Sequence, residues 1–221
     1  IGAWFSLVFK SSFALVGLGA YLLLLVPLSG GLVKAVALGL AALIVVLNLV
    51  GTEQSGKAQS IIVTAVVVAL AAYVLNAGVA VDTARFQGFT DKGASGVVTA
   101  AAFVFVSYAG VTKIASVAEE IENPDRNLPL GILISMGVMM VLYTLVVAAV
   151  VGLNDPAVLS TSGPGNGPSL TPMADGVGQL LGGFGVVVIA VVAILALTSM
   201  ANAGVLASSR FPLAMSRDSL A

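Results

Sequence analysis

Residues 103–129 read FVFVSYAGVTKIASVAEEIENPDRNLP. An apolar run enters a membrane-length segment and meets Ser107, Tyr108, Ala109 and Gly110 near its middle. It then carries Lys113 and ends in Glu119, Glu120 and an Asn123-Pro124 turn. A plain lipid-spanning helix has no need of a small, polar, Gly-containing patch at mid-depth. Polar groups and loosened backbone are tolerated there only where protein or a water-filled cavity surrounds them. The stretch therefore marks a membrane protein, and marks mid-depth as a place where something binds.

The rest of the composition agrees. Of 221 residues, 59% are apolar and 9% charged, against about 25% charged in soluble domains. A soluble core could not hide that much apolar surface, so the solvent is lipid. The net charge of −1 argues against a nucleic-acid partner. The absence of Cys and His removes thiol nucleophiles, disulfides, imidazole bases and the commonest zinc ligands. The chain opens at Ile1 in mid-hydrophobic run, without an initiator Met or cleavage site, and stops after a basic segment. It reads as an internal part of a longer protein.

A span needs about 20 mostly apolar residues, and six segments qualify: residues 1–26, 32–50, 61–81, 96–118, 130–153 and 185–207. Gly, Ala and Ser run through all of them and permit close helix contact. The connections are short except for a polar loop, residues 154–184, containing GPGNGPS. Within it Thr171 as N-cap, Pro172 at the first helical position and Asp175 in the first turn predict a short helix running to Leu181. One side of the membrane receives Lys57, Arg126, Arg210 and Arg217; the other receives Arg85 and Lys92. The positive-inside rule puts the first side in the cytoplasm and the long loop outside.

At Ser107 to Gly110 two readings stand side by side. Gly costs a helix about 1 kcal/mol relative to Ala, and an unwound backbone here could bind a carboxylate, an ammonium or an ion. Left wound, the same residues are a small-residue packing face. The tail, AEEIENPDRNLP, taken alone is an ordinary helix-to-helix turn, because the residue before Pro is driven out of the helical region.

Together the two parts resemble the amino acid–polyamine–organocation permeases. Their sixth span reads aromatic-x-x-Tyr/Phe-x-Gly, then Ala-Glu-Glu, then Asn-Pro-x-Arg-x-(hydrophobic)-Pro. Here stand Phe105, Tyr108, Gly110, Ala118-Glu119-Glu120, Asn123-Pro124, Arg126 and Pro129. Residues 195–218 are similar to the family's eighth span and following segment, through Ser209-Arg210, Met215, Arg217 and Asp218. On this register the chain covers the third to eighth of about twelve spans. The resemblance implies an all-α, polytopic transmembrane helix bundle, part of a five-plus-five inverted-repeat (leucine-transporter-like) fold with a helix broken near residues 107–110. It implies that Val106, Ser107, Tyr108, Ala109 and Gly110 line a substrate site whose other half lies in a first span absent from this chain.

Other residues follow from the same comparison. Sodium-coupled transporters of this fold place adjacent hydroxyls on the eighth helix, which makes Thr198 and Ser199 candidate Na⁺ ligands. The alternative is that both back-bond to their own helix. Some proton-coupled relatives carry a Lys in the fifth helix, where this chain has Val66-Val67-Val68, so the coupling ion, Na⁺ or H⁺, stays open. Lys10 and Lys113 are intramembrane charges that cost about 2.5–3.5 kcal/mol each at the bilayer centre. Lys10 falls near a position where relatives contact substrate, or else snorkels to an interface. Lys113 could replace a coupling cation, meet an acidic substrate group or pair with a Glu. Glu119, Glu120 and Arg126 form a cytoplasmic gate or turn network.

The expected function is secondary active transport of amino acids or related organic cations by alternating access, with the loop at 154–184 as external gate. The weakly polar pocket leans toward neutral amino acids, and the two lysines shift it toward acidic ones. No enzyme is expected: the spans hold isolated hydroxyls and no base. No cofactor is implied beyond the coupling ion. The partners are an amino acid, the lipid bilayer of the plasma membrane and the remaining spans of the full-length chain. A non-transporting sensor or subunit built on the same fold is the alternative.

Overall fold

The computed structural model describes residues 2–27, 29–50, 53–88, 91–108, 121–163 and 166–217. They form seven α-helices: α1 (Gly2–Leu25), α2 (Gly30–Val50), α3 (Glu53–Ala77), α4 (Gly93–Tyr108), α5 (Pro124–Leu153), α6 (Pro156–Thr161) and α7 (Pro172–Arg217). A 3-10 turn, Thr83–Phe86, lies between α3 and α4. Among the described residues there is no strand beyond one bridge between Gly163 and Gly167. The fold is an all-α bundle of mostly long, apolar helices.

Windows long and apolar enough to cross a bilayer are Val8–Leu25, Gln59–Ala77, Pro124–Leu153 and Pro172–Ser209 among the described residues. Shorter apolar stretches, Gly30–Val46 and Gly93–Phe105, lie in α2 and α4. The helices overrun the apolar segments into polar sequence: α3 begins at Glu53 rather than residue 61, and α5 at Pro124 rather than 130. Pro124 fits the first turn, where its missing N–H has no intrahelical partner to lose. Asn123 before it is left-handed, with φ 49° and ψ 60°. Pro129 therefore sits inside α5 rather than starting it.

The helix α7 is the hub, packed along α1 and against α3, α2 and α5. Small residues make this possible. A methyl group on Gly17 of α1 would stand 3.3 Å from Leu197 of α7, and Ala14 of α1 and Ala201 of α7 are buried together with Ile44 of α2. Close backbones gain dispersion contacts that lipid tails cannot match by burial alone. A second buried cluster joins Tyr73 and Ala77 of α3, Ala149 and Leu153 of α5, and Ala174, Val177 and Ile189 of α7. Large apolar side chains point outward elsewhere: Phe13, Phe103 and Phe105 are each 70% or more exposed, as suits a surface wetted by lipid or covered by further helices.

The end of α5 closes against the turn after α3. The Asp82 N–H donates to the Gly152 carbonyl at 3.1 Å. A Cβ on Gly152 would stand 2.6, 3.0 and 3.2 Å from three side-chain atoms of Val81. A branched side chain cannot swing clear, so Gly152→Ala should destabilise the protein by about 1–3 kcal/mol, read as a lower melting temperature in detergent.

Candidate functional site

Ser107 and Tyr108, the described part of the patch, close the C-terminal end of α4. Lys10 Nζ, half-buried on α1, donates a hydrogen bond to the Ser107 carbonyl at 3.1 Å. Tyr108 meets Tyr143 of α5 edge-on, with ring centroids 5.6 Å apart and planes at 66°, a favoured aromatic geometry. These contacts bring α1, α4 and α5 together at Ser107 and Tyr108. Val106 is placed on α4 by its backbone. Ala109, Gly110, Lys113, Glu119 and Glu120 lie outside the described residues. Arg126 stands exposed in the first turn of α5, where Asn127 Nδ2 donates to the Glu122 carbonyl at 2.6 Å.

Thr198 and Ser199 sit on α7, with Thr198 half-buried and Ser199 buried. Gln59 Nε2 of α3 donates to Ser199 Oγ at 2.5 Å. Gln59 is a functional candidate that the sequence alone does not single out; a lone amide at the edge of an apolar segment is its only signal. Neutral oxygen donors suit a monovalent cation better than a transition metal. The Gln59 amide occupies one of the two acceptor positions of that oxygen and leaves the other for a cation. Among the described residues no cluster of His, Cys, Asp or Glu could hold a metal ion.

A second polar centre lies where the long loop meets the bundle. Asn154, the C-cap of α5, is 1% exposed. Its Nδ2 donates to the carbonyls of Val150 (2.9 Å) and Pro172 (3.2 Å), and its Oδ1 accepts from Gln179 Nε2 (3.3 Å). The side chain thus stitches α5 to the first turns of α7. The loop is built locally. Asp155 Oδ1 accepts from the Ala157 N–H at 2.8 Å and caps α6, and the Ser169 N–H donates to the Leu159 carbonyl at 2.7 Å. Ser169 Oγ donates to Asp175 Oδ2 at 2.5 Å and accepts from the Thr171 N–H at 3.1 Å. A Cβ on Gly176 would stand 3.0 Å from Asn154 Nδ2, 3.2 Å from the Tyr73 hydroxyl and 3.4 Å from Leu153 Cβ, so residues 172–181 lie flush on α3 and α5.

Six residues later the helix turns a corner. Gly182 has φ 61° and ψ −152°, while helix continues on both sides. That conformation is essentially confined to glycine. The expected short helix to Leu181 and the span at 185–207 are therefore two limbs of one element, joined by a single residue instead of a loop.

The comparisons with known proteins point one way. The family model described as amino acid permease matches residues 1–221. Over 211 residues the chain is 30% identical to the branched-chain amino acid permease BcaP of Bacillus subtilis, covering 92% of this chain and 44% of that protein. It is also 30% identical over 195 residues to cationic amino acid transporter 9, chloroplastic, of Arabidopsis thaliana, covering 87% of this chain and 33% of the relative. A methylthioribose transporter of Bacillus subtilis is 29% identical over 170 residues, covering 77% of this chain and 35% of that protein. The chain spans about a third to under half the length of these relatives.

Proposed function

The chain belongs to the amino acid permease family, within the amino acid–polyamine–organocation superfamily, and on that premise we propose that it forms the substrate-bearing part of a secondary active transporter for amino acids or related organic cations. It is an integral, multi-pass membrane protein; we place it in the plasma membrane. Transport proceeds by alternating access within an inverted-repeat fold. Substrate is held at mid-depth by Val106, Ser107, Tyr108, Ala109 and Gly110, together with Lys10, which is bonded to the Ser107 carbonyl. Lys113, Glu119, Glu120 and Arg126 serve coupling and the inner gate, Thr198 and Ser199 are the candidate ion ligands, and residues 154–184 are the outer gate.

The observation that carries this reading is the family match over the whole chain. The Lys10–Ser107 contact supports it, because a charge bonded to main chain inside a span is costly unless the site uses it. The test is radiolabelled amino acid uptake into proteoliposomes by the full-length protein, first with Na⁺ replaced and then with the pH gradient collapsed. We expect uptake to fall when one of the two is removed. If Na⁺ is the coupling ion and Ser199 holds it, Ser199→Ala weakens the Na⁺ dependence; if H⁺ is, Ser199→Ala leaves the ion dependence unchanged. No uptake of any amino acid across a broad panel would sink the proposal.

A further inference from the structure

We infer that Lys10 is a tethered cation at the carbonyl side of the substrate site, so that a ligand is recognised there by an anionic or neutral group and dibasic ligands are excluded. The inference deepens the transport reading and rests on it.

At 1.5 Å per residue, Lys10 lies about 12 Å along α1 from Gly2 and Ser107 about 21 Å along α4 from Gly93. Lys10 is the third residue of the membrane-length window Val8–Leu25 and Ser107 the next-to-last residue of α4, and they meet at 3.1 Å although 97 residues apart in sequence. A main-chain carbonyl at that depth is an acceptor for cations. The Lys10 ammonium already stands on this one, so a ligand ammonium approaching Ser107 meets a like charge.

An ammonium has three N–H donors, and the Ser107 carbonyl takes one. Among the described residues no carboxylate pairs with Lys10. The remaining donors and the unbalanced charge favour an incoming carboxylate. Tyr108, T-stacked on Tyr143, holds the neighbouring residue of α4 against α5, which fixes the carbonyl that Lys10 reads. Like-charge exclusion of this kind discriminates between ligands more sharply than added contact area does.

The experiment uses leucine, glutamate and lysine as probes on the full-length protein, its Lys10→Met variant and its Lys10→Arg variant. Each probe is measured as competitor of uptake in proteoliposomes and as ligand in thermal shifts of the detergent-purified protein. We expect lysine to be weaker than leucine by more than about tenfold in the wild type, with glutamate losing and lysine gaining about tenfold in Lys10→Met. Lys10→Arg keeps the wild-type order. Lysine binding the wild type as tightly as leucine overturns the inference without any variant. So does a Lys10→Met protein that preserves the wild-type order to within about twofold. In both cases intact uptake leaves the transport reading standing. A wild type that neither takes up nor is stabilised by any amino acid overturns both.

Discussion

Oxidising a Leu153→Cys/Gly176→Cys double variant will abolish uptake, and reduction will restore it. The first limb of α7, residues 172–181, lies so close to the end of α5 that a Cβ on Gly176 stands 3.4 Å from Leu153 Cβ. A disulfide wants a Cβ–Cβ separation of about 3.8 Å. These 221 residues contain no cysteine, so within them the engineered pair is the only thiol pair that can close, and any cysteine elsewhere in the full-length protein is replaced by Ser for the test. If residues 172–181 must lift to admit substrate, locking them should cut the rate by at least about tenfold, since a bonded lid leaves only the uncrosslinked fraction active. Comparing oxidised with reduced forms of one double variant cancels the packing cost of crowding Asn154 and Tyr73. Each single variant should be indifferent to oxidant. Full uptake by a fully crosslinked protein would show that this limb does not move during transport.

The second large effect concerns Asn154. Truncation to Ala removes two donors and one acceptor at a site 1% exposed, leaving the Pro172 carbonyl and the Gln179 amide without their partner. Buried polar groups left unmatched cost about 1–3 kcal/mol. Asn154→Ala should therefore lower stability by that amount. Asn154→Asp should lower it further, because a carboxylate would replace the donor that now faces the Val150 and Pro172 carbonyls. The check is a thermal melt in detergent combined with limited proteolysis of the loop at 154–171, which should be cut faster in both variants. A neutral Asn154→Ala would mean that the loop is held by α6 and the Ser169–Asp175 bond alone.

The features that could be read from the sequence are those that act on nearby backbone. Pro172 begins a helix because a fixed φ does its work within a turn of where it stands. Membrane-length apolar runs are legible for the same reason. What could not be read is which polar residue meets which. Lys10 and Ser107 each stand out alone, as a charge and a polar residue at mid-depth, yet nothing in a spacing of 97 residues says that they touch. Gln59 and Ser199, or Asn154 and Gln179, depend on the rotation and crossing of helices. Almost uniformly apolar helices leave both undetermined, because no polar face sets which side turns inward. The Pro124 start of α5 was hidden by a different competition: two prolines five positions apart could each open the helix, and only the left-handed turn at Asn123 decides for the first.

Gly182 carries one more consequence. Nothing lies within 4 Å of where its Cβ would be, so space does not forbid a side chain there; handedness does. Two right-handed helices meet at one achiral carbon, with no slack segment between them. The first limb of α7 therefore cannot drift as a loop drifts. Its orientation is written in two torsion angles of a single residue, which makes the joint a swivel, and any chiral residue in that place would choose a different direction for the whole limb.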